Sequence, residues 1–203
     1  MAIISNAVEI IDAGAFSANL GSMTLIKTIN ATSFVDDIAF VHGSSDVVLN
    51  NTYPVYLFKF INIIANSNSS SFFNFKASID SGSNYNVVKT SNFFSAIGPG
   101  VAAIEYGAGS DSAQEAGKIN LTDNTGSGNT QSLSGSMFVF EPSSTTFVKH
   151  FISRVSSYEE STPIDTFMGG YANTTSAVNA FQFSFRDQNV EAGTIKLYGI
   201  KDS

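Results

Sequence analysis

The sequence predicts an all-β chain: an antiparallel β-sandwich, jelly-roll-like, with one insertion made of a long loop and a short helix. Three observations predict it. Apolar residues recur with a period of two in one segment after another. Clusters of Gly, Asn, Asp and Ser separate those segments and supply the positive-φ and Asx geometries of turns. Helix signals are scarce, and only 13% of residues are charged. That is too few for the Glu-, Lys- and Arg-rich surface of a helical bundle.

The chain opens MAIISNAVEIIDAG. This stretch lacks a basic n-region and a long apolar h-region, so it does not read as a signal peptide. Residues 1–20 are apolar yet weakly periodic and are expected to form an N-terminal arm that contacts a partner. Residues 21–203 are expected to form a single β-sandwich domain, because no Pro-rich linker, fixed-period repeat or composition break divides them.

Strands are expected at 23–27 and 34–42. The run VYLFKFINII, residues 55–64, places Tyr56, Phe58 and Phe60 on one side and Leu57, Ile61 and Ile63 beside Lys59 on the other. Both faces are apolar, which predicts a central strand covered on both sides. SFFNFKASID puts Phe73, Phe75, Ala77 and Ile79 on one face and Asn74, Lys76 and Ser78 on the other, as in a half-buried antiparallel strand. The turn clusters ANSNSS (65–70) and DSGSN (80–84) flank it.

Residues 96–120 are the least strand-like. They read as the long exposed loop, with a short helix in AQEAGKI from Ala113, capped by Ser110 or Ser112 and stopped at Gly117. Loops of that length are usually functional or lie at interfaces. After the DNTGSGNT turn (123–130), strands are expected at 136–141 and 147–155, joined through EPSSTT as a hairpin with Pro142 closing the incoming strand. Further strands are expected at 167–171, in AFQFSFR (Phe181, Phe183 and Phe185 inward) and at 194–200. In the last, TIKLYGI sets Ile195, Leu197 and Gly199 against Thr194, Lys196, Tyr198 and Ile200. The final strand is therefore an integral sheet member, with Gly193 opening it and Gly199 marking a bulge or a close backbone approach.

The formal charge of -7 disfavours nucleic acid and anionic membrane surfaces as partners. No run approaches the ~18 apolar residues of a membrane span, so no membrane insertion is expected. There is no cysteine, hence no disulfide or thiolate chemistry. The aromatic content is 18 Phe and 7 Tyr with no Trp.

No catalytic, metal or cofactor site is expected. His42 has Asp46 four residues on, across a GSS turn, and His150 has no carboxylate near it in sequence; both read as strand-end or turn histidines. LSGSM and AGSDS do not match the G-x-S-x-G elbow of a serine hydrolase. Glu159-Glu160 and Asp36-Asp37 are adjacent pairs, which a strand points to opposite faces, so neither makes a glycosidase dyad. GAGSDSAQEAG lacks the Lys of a phosphate loop. DNTGSGN lacks the spacing and terminal Glu of a calcium loop. Tyr53, Tyr85, Tyr106, Tyr158 and Tyr171 fall at or near loops, where they could stack on sugars or half-bury their rings.

Three segments together carry a resemblance: LSGSMFVFEPSSTTFVKHFISRVSSY, FMGGYANTTSAVNAFQFSF and AGTIKLYGIK. Their order resembles that in small virion proteins of tailed bacteriophages, many from marine hosts, of structural or tail-fibre-like type. The resemblance covers residues 133–201; the middle of the chain matches more loosely and the N-terminal region only vaguely. It implies a β-sandwich virion component, made in the bacterial cytoplasm and placed on the particle surface. It carries no catalytic residue. The expected role is non-enzymatic decoration or cementing of the head, with the major capsid protein or a tail component as partner. The alternative is a tail-associated fibre or knob module that binds a host cell-surface glycan. A homo-oligomer, a trimer, is expected from the surplus of apolar strand residues and from sheet edges that a neighbour could cover.

Overall fold

In the computed structural model, the described residues are 3–5, 8–12, 15–16, 23–66, 71–98, 103–106, 111–126 and 130–201. Residues 67–70 of the ANSNSS turn, 127–129 of DNTGSGNT and 107–110 of the glycine-rich segment lie outside them. Near the N-terminus, β1 (Ile3–Ser5), β2 (Val8–Asp12) and β3 (Ala15–Phe16) pair with one another as an antiparallel meander.

Two antiparallel sheets form the rest. The strands in chain order are β4 (Met23–Ala31), β5 (Ile38–Val41), β6 (Val55–Ala65), β7 (Phe73–Ser78), β8 (Lys89–Ile97), β9 (Ala103–Tyr106), β10 (Ser112–Glu115) and β11 (Ile119–Asn120). They continue with β12 (Leu133–Phe140), β13 (Lys149–Glu159), β14 (Thr162–Ala172), β15 (Ala180–Phe185) and β16 (Val190–Ile200). The large sheet runs β10-β8-β14-β13-β12-β6-β16-β4, with β9 also pairing to β8; the small sheet runs β11-β7-β15-β5. The two pack face to face, and the β-sandwich expected from the periodicity is the fold.

Phenylalanine fills the space between the sheets. The Phe183 ring, fully buried on β15, lies 4.9 Å from Phe58, 5.2 Å from Phe60, 6.1 Å from Phe73 and 6.3 Å from Phe40. Tyr56 joins this core by satisfying its hydroxyl internally: it donates to the Asn50 carbonyl at 2.8 Å and accepts from the Asn50 N–H at 2.9 Å.

The structure corrects four expectations. AQEAGKI forms no helix, and Ala113 to Glu115 belong to strand β10. Its Gln114, and Asp111 just before it, find partners on the edge of β8 instead of in a helical turn. Asp111 Oδ1 accepts the Phe93 N–H at 2.7 Å, and the Gln114 N–H and Nε2 both donate to Thr90 Oγ1. Gln114 also has φ +57°, which a right-handed helix excludes.

The second correction concerns 34–42, which is a strand only from Ile38. Val35 makes an isolated bridge to Val190 of the large sheet, whereas Ile38 pairs with β15 of the small one. Asp36 and Asp37 are the exposed crossing between them.

The third concerns β6. It is central, between β12 and β16, but its outer face is covered only in part: Leu57 is buried and Ile61 is exposed. Asn62, at φ +49°, inserts an extra residue, so Ile63 turns to the same inner face as Phe60. Ser134 Oγ accepts the Asn62 N–H at 3.0 Å.

The fourth concerns β16, which starts at Val190, so Gly193 lies within the strand and does not open it. The close approach expected at Gly199 is present: the Tyr53 ring packs directly against it.

Candidate binding face on the large sheet

Because strand residues alternate, the outer face of the large sheet can be read as rows crossing it. Tyr106, Phe94, Phe167 and Arg154 are register partners in one row. Phe94 and Phe167 stack with centroids 4.9 Å apart and planes 7° from parallel. Tyr106 stands 6.1 Å from Phe94 at one end and is 82% exposed. At the other end the Arg154 guanidinium lies 4.8 Å over the Phe167 ring. Asp165 holds that guanidinium by three hydrogen bonds, the shortest 2.6 Å from Nη2 to Oδ2. The cation is thus neutralised within the face.

The next row is Asn92, Gly169 and Ile152, and the one beyond it is Thr90, Tyr171 and His150. Gly169 has no side chain to fill its place, so a groove of about 600 Å³ opens over it. Tyr171 and His150, with ring centroids 6.3 Å apart, line it together with Thr90, Asn92 and Ile152, and the aromatic row lies beside it, outside the lining. Asn92 is exposed at the edge.

The other half of the same face is apolar. Ile152, Phe138, Leu57, Tyr198 and Leu25 form a continuous row across β13, β12, β6, β16 and β4. Val55, Ile200 and Met23 run beside it. Met23 and Leu25 are about half exposed, and Phe147, at the head of β13, is 65% exposed. A hollow of about 520 Å³ lies between Pro54, Val55, Phe140, Phe147 and His150.

The tyrosines singled out in the sequence separate. Tyr106 and Tyr171 come to the grooved face, Tyr53 packs on Tyr56, and Tyr85 lies under Lys76. The aromatic site is on a sheet face and not on loops at one end of the sandwich. His150 lies on the groove wall, but His42 does not: its Nδ1 accepts the Leu49 N–H at 3.2 Å in the turn after β5. Glu159, Glu160 and Asp123 line another depression, where Asp123 accepts hydrogen bonds from Ser95 Oγ and the Asn124 N–H. Asp36 and Asp37 are apart from both depressions.

Asn92, Phe94, Phe167, Gly169 and Arg154 carry no motif. The usable signal was a second apolar set on strands whose inner set was already assigned, as in Phe167 beside Met168.

The inner face opposite the groove is unusual. Lys149, Ala172 and Lys89 are register partners pointing into the sandwich, and both lysines are buried. Lys89 Nζ donates to the Val87 carbonyl at 2.7 Å; Lys149 Nζ donates to those of Phe147 and Thr174. Burial pushes the Lys89 ammonium down to about 8 and lowers Lys149 as well.

Among the described residues, no group of three or more His, Asp or Glu is placed to hold a metal ion. No helix among them is long and apolar enough to cross a membrane. Compared with models of protein families, with curated proteins and with solved structures, the chain matches none.

Proposed function

We propose that this chain is a non-enzymatic structural protein of a bacteriophage virion, a β-sandwich subunit that decorates or cements the head surface. The observation that carries this reading is the apolar half of the outer sheet face, from Met23 and Leu25 to Ile152 and Phe147. Met23, Leu25, Ile152 and Phe147 are exposed on it, at the two ends of a row whose centre, Leu57, is buried, and monomeric proteins seldom expose this much apolar surface on one face unless it meets a partner. The resemblance over residues 133–201 supplies the partner class: other virion proteins, with the major capsid protein first. Copies of the chain joined around a closed axis, as in a trimer, would bury part of the same band.

Immunogold labelling of intact particles tests this reading. Label over the head supports it, and label confined to the tail tip overturns it. Leu25→Glu, which puts a charge into the band, is expected to lower the occupancy of the subunit on particles without unfolding it.

A second reading has its own observation. The groove over Gly169, lined by Tyr171 and His150 with the exposed Tyr106 ring beside it, favours a tail-associated fibre or knob module that engages a host cell-surface glycan. Purified protein that neither adsorbs to host cells nor competes with infection would count against that reading.

A further inference from the structure

We propose that the groove over Gly169 is a saccharide-binding site that takes a short, neutral oligosaccharide, one unit over Gly169 and a neighbouring unit stacked on the exposed Tyr106 ring, which stands beside the groove two strands from Gly169. The inference deepens the glycan-binding reading, but it concerns the site itself and holds wherever on a particle the subunit sits.

Gly169 is the starting point. A glycine inside a strand weakens it and is kept where something approaches the backbone closely. Here no described part of the protein does. Among the described residues, a Cβ added at Gly169 would meet only Asn92 Oδ1, at an ordinary 3.5 Å, whereas at Gly170 it would clash with the Thr90 carbonyl. Gly170 is explained by packing on the inner face. Gly169 is not, and its absent side chain is what makes the groove.

The lining then selects the occupant. A pyranose ring presents an apolar C–H face and a rim of hydroxyls. The C–H face needs a flat, rigid, exposed ring. Tyr106 offers one, braced from behind by Phe94, which is itself stacked on Phe167. Hydroxyls need donors and acceptors that are not already engaged. The exposed Asn92 amide and the His150 ring stand on opposite sides of the Gly169 floor, two strands apart. Thr90 Oγ1 already accepts two hydrogen bonds from Gln114 but keeps its own proton to donate. The one guanidinium in the aromatic row is neutralised by Asp165, so the face offers no free arginine for a carboxylate or sulfate. That points to a neutral sugar. The groove volume of about 600 Å³ lies within the range of small-ligand sites.

The test uses the full-length chain on a printed panel of neutral oligosaccharides built on glucose, mannose, galactose and N-acetylglucosamine, beside sialylated and sulfated ones. Wild type is expected to bind at least one neutral member. Gly169→Val fills the groove at a position with room for it, in a strand that favours β-branched residues. It is expected to keep the melting temperature and to lose at least tenfold in affinity, and Tyr106→Ala is expected to lose as much. Binding to no neutral member, binding only to anionic members, or neutral binding that Gly169→Val leaves intact each overturns the proposal. If the panel result holds but the protein does not compete with phage for host cells, the site stands and the tail-adhesin reading falls.

Discussion

Gly193 lies against the backbone of Asn62: a Cβ on Gly193 would sit 2.6 Å from the Asn62 carbonyl oxygen and 2.7 Å from Ile63 Cα. Gly193 also has φ +121°, which side-chain-bearing residues rarely adopt. The bulge that turns Ile63 inward on β6 is therefore matched by a glycine on β16. Gly193→Ala is expected to cost about 1–3 kcal/mol, from backbone strain together with the clash. Urea unfolding measures it, and an unchanged midpoint would show that the two strands relax freely around the bulge.

Phe183 and Phe94 test the division between core and face. Phe183→Ala removes the ring on which Phe40, Phe58, Phe60, Phe73 and Phe75 converge and is expected to cost about 3–5 kcal/mol. Phe94→Ala removes a half-buried stacking partner and is expected to cost about 1 kcal/mol. Equal losses in thermal unfolding would mean that the outer face is covered in solution, as a face buried between copies would be.

Ser153 is buried between Met137 and Met168 in register, and its hydroxyl has no hydrogen-bond partner among the described residues. Ser153→Ala removes an unsatisfied polar group and is expected to stabilise the chain by up to about 1 kcal/mol. A clear fall in melting temperature would reveal a partner for that hydroxyl.

Lys89 gives a pH dependence of definite sign. Its folded-state value is about 8 against an ordinary 10.5, so between those pH values the folded chain holds fewer protons than the unfolded one. Stability must then rise as pH rises through that window, and below pH 8 the cost of burying the charge is present in full. Lys89→Met keeps the length of the side chain and removes the charge. It is expected to equal or exceed wild type in stability at pH 7 and to flatten the rise above pH 8. Chemical denaturation at pH 7, 8 and 9.5 checks both parts. A wild-type stability that falls over this range and a variant that unfolds at pH 7 would each refute the assignment.

By itself the sequence determined the sandwich, the Phe-lined faces of β7 and β15, the hairpin at Pro142 and the place of the last strand within a sheet. All of these follow from a period of two, in which every second residue must leave water together. Where the buried residue is not apolar, that signal vanishes. Strand β8 shows no apolar alternation because its inward set is Lys89, Ser91, Phe93 and Ser95, and Asp111 and Gln114 hide β10 by bonding to the edge of β8. Only the tertiary structure decided which way Ile63 faces, because a single inserted residue at Asn62 inverts the alternation beyond it. It alone assembled the grooved face, since Tyr106, Phe94, Phe167 and Arg154 come from four strands whose side-by-side order no local pattern encodes. The empty place over Gly169 is a property of that order: a missing side chain becomes a groove only when its neighbours across the sheet stand up around it.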